Sequence, residues 1–368
     1  MLLALSAALV LSGCEKEDEE QAPEATTDQP VIQLQTDDNA TPAIDVASDT
    51  VEEETREGMY RSELTNEWID ESLKDQRPIA VMIDNEKTAL PHFGMSQSDV
   101  VYEMTNSIAN DGVTRFMVLF KDYNSVKQIG SVRSTRPTNL QIIPEWNAVI
   151  CHDGGPFYID DYMAKDYVEN FSGTFSRVNN GKSREFTEYI LEGDIDKNFA
   201  SHSKYSKTYN DYYKGGPHYQ FAPDSKPNDL SQYSDAKSAT HIQMPYKHNK
   251  PYMDYDEASG TYLYSEYGMK HVDAGNNDEQ LSFKNILIQN CRYVQFDNNG
   301  YMMFHSIDYN RDGYYITNGK CIPITWSKED ELSPTLYYDK NGDEIQINTG
   351  RTYVALVPDD IWSGLTIE

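Results

Sequence analysis

From Thr240 onward the chain is a succession of short β-type segments cut by turn residues, and this pattern constrains the fold more than any other feature. The segments read ATHIQMPY, GTYLYSEYG, FKNILIQNCRYVQF, YMMFHSIDY, GYYITNGKCIPITW, TLYYD, EIQINTG and TYVALVP. Between them stand Asp297-Asn298-Asn299-Gly300, Asn310-Arg311-Asp312-Gly313, Asn318-Gly319 and Asn341-Gly342. Asn-Gly and Asp-Gly supply the positive φ angles that tight hairpins need. Residues 236–368 are therefore expected to form a β-rich, antiparallel C-terminal domain, curled or barrel-like. The 27 tyrosines, against 12 Phe and 4 Trp, suit such a surface, because the ring packs while the hydroxyl stays wet.

The preceding half mixes two periods. PIAVMID (78–84), VVYEM (100–104), TRFMVLF (114–120), KQIGSV (127–132) and NAVICHDGG (147–155) read as strands. Helices are expected over 62–74, where Leu64, Trp68, Ile69 and Leu73 share a face, within 137–146, over 158–168 and in 183–199. Strands interleaved with helices predict an α/β layer over 58–235. Around 205–240 the pattern decays into Tyr, Lys, Gly, Pro and Ser, which marks a surface connection. The fold class is thus α+β or α/β: an N-terminal mixed sheet with helices, then a smaller β-rich antiparallel domain.

Residues 1–14, MLLALSAALVLSGC, form an apolar run followed by small residues and a cysteine. Leu11-Ser12-Gly13-Cys14 fits a bacterial lipobox, in which Cys14 takes a diacylglyceryl group and becomes the mature N-terminus. The run is about half of the roughly 20 residues that span a bilayer, so it reads as a processed signal. No Lys or Arg precedes Leu2, and the true start is expected upstream. Residues 15–57 hold 15 acidic and two basic residues and no hydrophobic period. They read as a disordered tether that lifts the folded part off a membrane. The expected location is lipid-anchored on the outer face of the cytoplasmic membrane of a Gram-positive bacterium.

The net charge is −29, of which 15–57 contribute −13. That excludes nucleic acid as a partner, since phosphate binding needs a basic footprint. Cys151, Cys291 and Cys321 show no metal-ligand spacing; Cys291 and Cys321 are the expected pair if a disulfide forms. Asp308, Asn310 and Asp312 match the first half of a calcium loop, but Gly319 stands where the bidentate Glu belongs, so a hairpin turn is favoured and no cofactor is expected.

The densest polar constellation lies in the N-terminal half: Asp84 at a strand end, Glu103, Arg115 after a Gly turn, Arg133, Ser134 and Arg136 within four residues, and His152 before two glycines. Two readings stand. Either converging guanidiniums hold a carboxylate or phosphate, or Arg115 and Arg133 pair with Glu103 or Asp84 in a buried lattice. A hydrolase would use Glu103, Asp84 or His152 as acid/base, or Ser134 with His152, yet no GxSxG, HExxH or SxxK is present. Cys151 and His152 are adjacent in a strand and face opposite ways, which excludes a dyad between them.

RPIAVMIDN, PHFGMSQSDVVYEM, GVTRF, IGSVRSTR, HDGG and NGKCIPITW…TLYYDKNGDEIQINTGRTYVALVP, in that order, resemble the YerB-like family of bacterial lipoproteins over about residues 60–360. The family usually has Pro-Gln-Ser-Gly where Pro91-His92-Phe93-Gly94 stand here, and an acidic residue and extra Gly before the Thr114-Arg115 position. Arg115, Arg133, Ser134 and Arg136 match. The resemblance implies an anchored two-domain envelope protein and supplies no activity. The leading expectation is a binding or accessory module for an anionic envelope ligand or protein partner. A cell-wall hydrolase and a structural assembly factor are the alternatives.

Overall fold

The computed structural model describes residues 55–368; Cys14 and all but the last three residues of the acidic segment lie outside the described residues. The backbone of the fold is an eleven-stranded sheet. In chain order its strands are Ile79–Asp84 (β1), Val100–Thr105 (β2), Thr114–Phe120 (β3), Val149–His152 (β4), Asn170–Ser172 (β5), Lys237–Ser238 (β6), Asn285–Cys291 (β7), Arg311–Thr317 (β8), Lys320–Ser327 (β9), Leu336–Tyr338 (β10) and Thr352–Pro358 (β11). The spatial order is β6-β9-β8-β7-β11-β2-β3-β1-β4-β5, with β10 beside β9.

β11 pairs in parallel with both β7 and β2, so strands from either side of residue 235 close one sheet. β3 runs against β2 and β1, and β8 against β7 and β9, giving a mixed N-terminal part and a C-terminal part that is antiparallel except where β7 meets β11. The central strands are buried on both faces and read as continuous apolar runs, as fully covered strands do.

Alternation along each strand divides the core into two layers. Ile83, Val101, Phe116 and Tyr353 face one layer, which a six-stranded sheet containing Tyr252–Asp256 and Thr261–Glu266 covers. Met82, Tyr102, Met104 and Met117 face the other, where helix α1 (Pro137–Ile142) and the hairpin Tyr293–Gln295/Met302–Phe304 pack.

Several expectations are corrected. Residues 62–74 are not a helix: Met59–Arg61 and Trp68–Asp70 form a hairpin, followed by one 3-10 turn over Glu71–Leu73, capped by the Asp70 side chain. The helical spacing arose because Leu64 anchors a loop while Trp68 packs under Arg61. Of 158–168 only Asp160–Met163 (α2) is α-helical, and 183–199 splits into strand Glu188–Leu191 and helix Asp194–Ser201 (α3). Asp312-Gly313 is not a turn but part of β8. A Cβ at Gly313 would sit 2.6 Å from the Ile288 carbonyl, so glycine serves close strand approach there. Asn318-Gly319 does form the β8–β9 turn, both residues with positive φ.

No disulfide joins Cys291 and Cys321. All three described cysteines are free and buried, and β8 separates these two, which face opposite core layers. Asp308 accepts from the Arg292 guanidinium at 2.8 Å and lies 3.8 Å from Arg311, so arginines surround that carboxylate.

Candidate functional site

β1, β2, β4, β5, β7 and β11 share one direction, and β3 starts where they end. Most of the polar residues singled out from sequence therefore lie along the carboxyl edge of the parallel strands, where α/β sheets place their ligands.

Asp84, the last residue of β1, stands opposite Arg115 of β3. Its Oδ2 accepts from Arg133 Nε at 2.5 Å and from Arg115 Nη2 at 3.5 Å, and its Oδ1 from the Glu86 backbone at 2.7 Å. Burial alone would raise the Asp84 carboxyl; the two guanidiniums overcome that and hold it below the usual carboxylate range. Arg115 also donates to Asn106 Oδ1 and the Ser134 carbonyl. Burial pushes it down to about 9 against the pull of Asp84. Arg133, half-buried, reaches Glu185 at 3.1 Å.

Arg136 is different. It is 6% exposed, its guanidinium lies 4.0 Å over the Tyr301 ring, and Nη1 donates to the Thr135 carbonyl at 2.8 Å. Its Nε has no hydrogen-bond partner, and among the described residues no carboxylate forms an ion pair with it. Arg115 Nε is likewise unpartnered. Arg115 and Arg136 line a small cavity of about 10 Å³ with Met104, Asn106, Thr138 and Met302. Through Thr105 and Met302, this cavity shares walls with an open cleft of about 260 Å³.

Glu103 lies on the other face of the sheet, fully buried. Its Oε1 accepts from Thr114, Asn249 and Asn85, and its Oε2 from the Tyr264 and Tyr353 hydroxyls at 2.9 and 2.6 Å. Burial and the neighbouring Glu266 raise this carboxyl, while the Tyr353, Asn249 and Thr114 bonds oppose the rise.

From Glu266 a chain of hydrogen bonds runs back to Asp84. His92 Nε2 lies 2.6 Å from the Asp84 carbonyl, which only accepts, so this nitrogen donates and Nδ1 accepts. His271 Nε2, 3.2 Å away, must then donate to His92 Nδ1. His271 Nδ1 meets Glu266 Oε1 at 2.9 Å, so one proton is shared by that pair. Burial alone would raise the Glu266 carboxyl; the hydrogen bond from His271 and its charge outweigh that and hold it low. Burial first, and then His271, push His92 down to about 4 and keep it neutral. These three residues have the ligand types and proximity for a metal ion, yet hydrogen bonds already occupy their facing nitrogens.

The arrangement keeps the remaining predicted residues apart from Glu103. His152 ends β4 with Nδ1 on the Gly154 carbonyl and Nε2 near Asn170. The Ser134 hydroxyl donates to the Asp153 carbonyl. No Ser134–His152 bond forms, and His152 bonds to neither Asp84 nor Glu103. The structure thus brings together Asp84, Arg115, Arg133 and Arg136 and separates them from Glu103.

The family described as "Protein of unknown function (DUF3048)" matches with its N-terminal domain over residues 64–206 and its C-terminal domain over 242–354. The Bacillus subtilis (strain 168) protein described as "Putative lipoprotein YerB" is 23% identical, over 81% of this chain and 86% of its own. A crystal structure of YerB protein from Bacillus subtilis superposes with a TM-score of 0.69 at 18% identity, covering 84% of this chain and 99% of the other. The chain belongs to the YerB-like DUF3048 family. At that identity the superposition shows a shared fold and leaves the site to be argued from this chain's residues. In this YerB-like chain sequence reasoning missed Asn249, Glu266, His271 and Tyr301. Each comes from the C-terminal half, and no local pattern links it to the N-terminal arginines.

Proposed function

We propose that this is a lipid-anchored envelope protein, acylated at Cys14, that captures a small anionic group at Arg136 and Arg115. The relative's description as a lipoprotein and the lipobox support the anchor. One observation carries the capture: Arg136 is a buried cation with no paired carboxylate, beside a second guanidinium whose Nε is also free. Burying an unpaired charge is costly, and proteins neutralise it with a partner. Arg115 and Arg133 share Asp84, with Glu185 on Arg133, so the cluster is one anion short. An arginine fork answers that need with paired N–H donors to a carboxylate or phosphate.

The test is thermal stabilisation of the full chain by sodium acetate at fixed ionic strength. Acetate is expected to raise the melting temperature of the wild type and leave Arg136→Met unmoved. Equal shifts in both proteins would overturn the assignment. Cys14→Ala is expected to abolish incorporation of labelled fatty acid in cells. For the hydrolase alternative, Ser134 donates to the Asp153 carbonyl while His152 bonds Gly154 and Asn170, so those two are not paired as nucleophile and base.

A further inference from the structure

We infer that the anion is the free α-carboxylate of a peptide or protein C-terminus, whose last side chains lie in the adjoining cleft. The inference rests on the anion-capture reading and names its ligand class. Three features of the carboxyl edge select it.

The cavity at Arg136 holds about 10 Å³, the room of roughly one water molecule, so it admits a single carboxylate oxygen while the rest of the group stays in the adjoining cleft. Beside it the cleft of about 260 Å³ has the room of one or two side chains, and Ile108, Tyr246, Tyr293, Met302 and Ile361 give it apolar walls. Ile108 is 49% exposed, an apolar surface open to a ligand. Finally, the cleft's charged residues are Lys247, Asp111 and Asp360. A polymer with an anion at every repeat needs a track of cations, and it meets one lysine and two carboxylates there, on a chain of net charge −29. A peptide carries a single anion at its end and an apolar body behind it. Recognition of a terminal carboxylate with pockets for the preceding side chains is an established mode of peptide binding.

The walls come from both halves of the chain. The hairpin tip that carries Tyr301 is pinned to the 106–112 loop, with Ile108 N donating to the Gly300 carbonyl at 2.9 Å and Ser107 Oγ to Asn299 O at 3.1 Å. The Tyr158 ring lies tilted against Phe296, centroids 3.9 Å apart, beside it. The seat is therefore assembled before any ligand arrives, which lowers the ordering cost of binding.

The experiment uses the full chain and a fluorescein-labelled hexapeptide ending in Leu-Phe, as free acid and as C-terminal amide. The acid is expected to bind at least tenfold tighter than the amide. Arg136→Met is expected to weaken the acid to the level of the amide and to leave the amide unchanged. Ile108→Ser, at an exposed position, is expected to weaken the acid several-fold while the acetate response persists. Equal binding of acid and amide to the wild type overturns the peptide inference, and an intact acetate response then leaves the anion site standing. Tighter binding of a poly(glycerol phosphate) than of the peptide acid overturns it in favour of a polyanion. Loss of the acetate response in the wild type itself overturns both.

Discussion

Two carboxylates only nineteen residues apart have opposite fates, and the difference lies in what donates to each. Asp84 is neutralised by guanidiniums; Glu103 is solvated by hydroxyls and amides with no cation in contact. Replacing Glu103 by Gln turns one acceptor oxygen into a donor facing hydroxyls and amides. That is expected to cost about 2–3 kcal/mol, read as a lower urea midpoint, because buried groups lose their partners. Any bound anion should be unaffected in the folded fraction, since Glu103 is on the other face of the sheet. His92 makes a second expectation. Its folded pKa of about 4 is depressed below the unfolded value near 6.5, so the unfolded chain binds the extra proton between these limits. The wild type should therefore lose stability as the pH falls from 6.5 towards 4, by up to about 1.4 kcal/mol per pH unit from this group. His92→Gln keeps a donor for the Asp84 carbonyl and an acceptor for His271, so the variant should gain on the wild type between pH 7 and pH 5 in urea melts.

Within elements, strand parity decides what meets what. Asp84 and Arg115 share the parity of Met82 and Met117, and Glu103 that of Val101. The sequence already held that alternation, but the register that pairs Asp84 with Arg115 rather than Phe116 comes from sheet assembly. Parity also explains the cysteines. Cys291 and Cys321 face different layers, so dithiothreitol should leave the melting temperature unchanged, and Ellman's reagent should find all three described thiols slow in the native state. The helices expected over 62–74 and 158–168, of which only Asp160–Met163 forms, show the converse. Aromatic and aliphatic residues at i and i+4 occur by chance in a Tyr-rich chain, and short loops bury such residues singly.

At the scale of the whole molecule, the two family domains are joined in the sheet by β2 against β11 and by the Glu103 bonds. Removing residues 236–368 would strip β2 of its parallel neighbour and leave the Glu103 carboxylate without Asn249, Tyr264 and Tyr353. A fragment of residues 55–235 is expected to lack near-ultraviolet circular dichroism, and the intact protein to unfold in one transition. Two independent transitions in calorimetry would contradict this.

The family, the β-rich class and the Asn318-Gly319 hairpin turn were legible in the sequence, as was the presence of Arg115, Arg133 and Arg136 as candidates, because motif order, alternation and turn chemistry are local properties of a chain. The small cavity beside Arg115 and Arg136 was not. Whether Arg115, Arg133 or Arg136 lacks a partner depends on where Asp84 and Glu185 come to rest. That Tyr301 roofs Arg136 from 165 residues downstream depends on a hairpin docking across the sheet edge. Local sequence determined which charges this protein carries; only the tertiary structure decided which of them is left unpaired, because pairing is set by proximity in space and burial removes the water that would otherwise stand in.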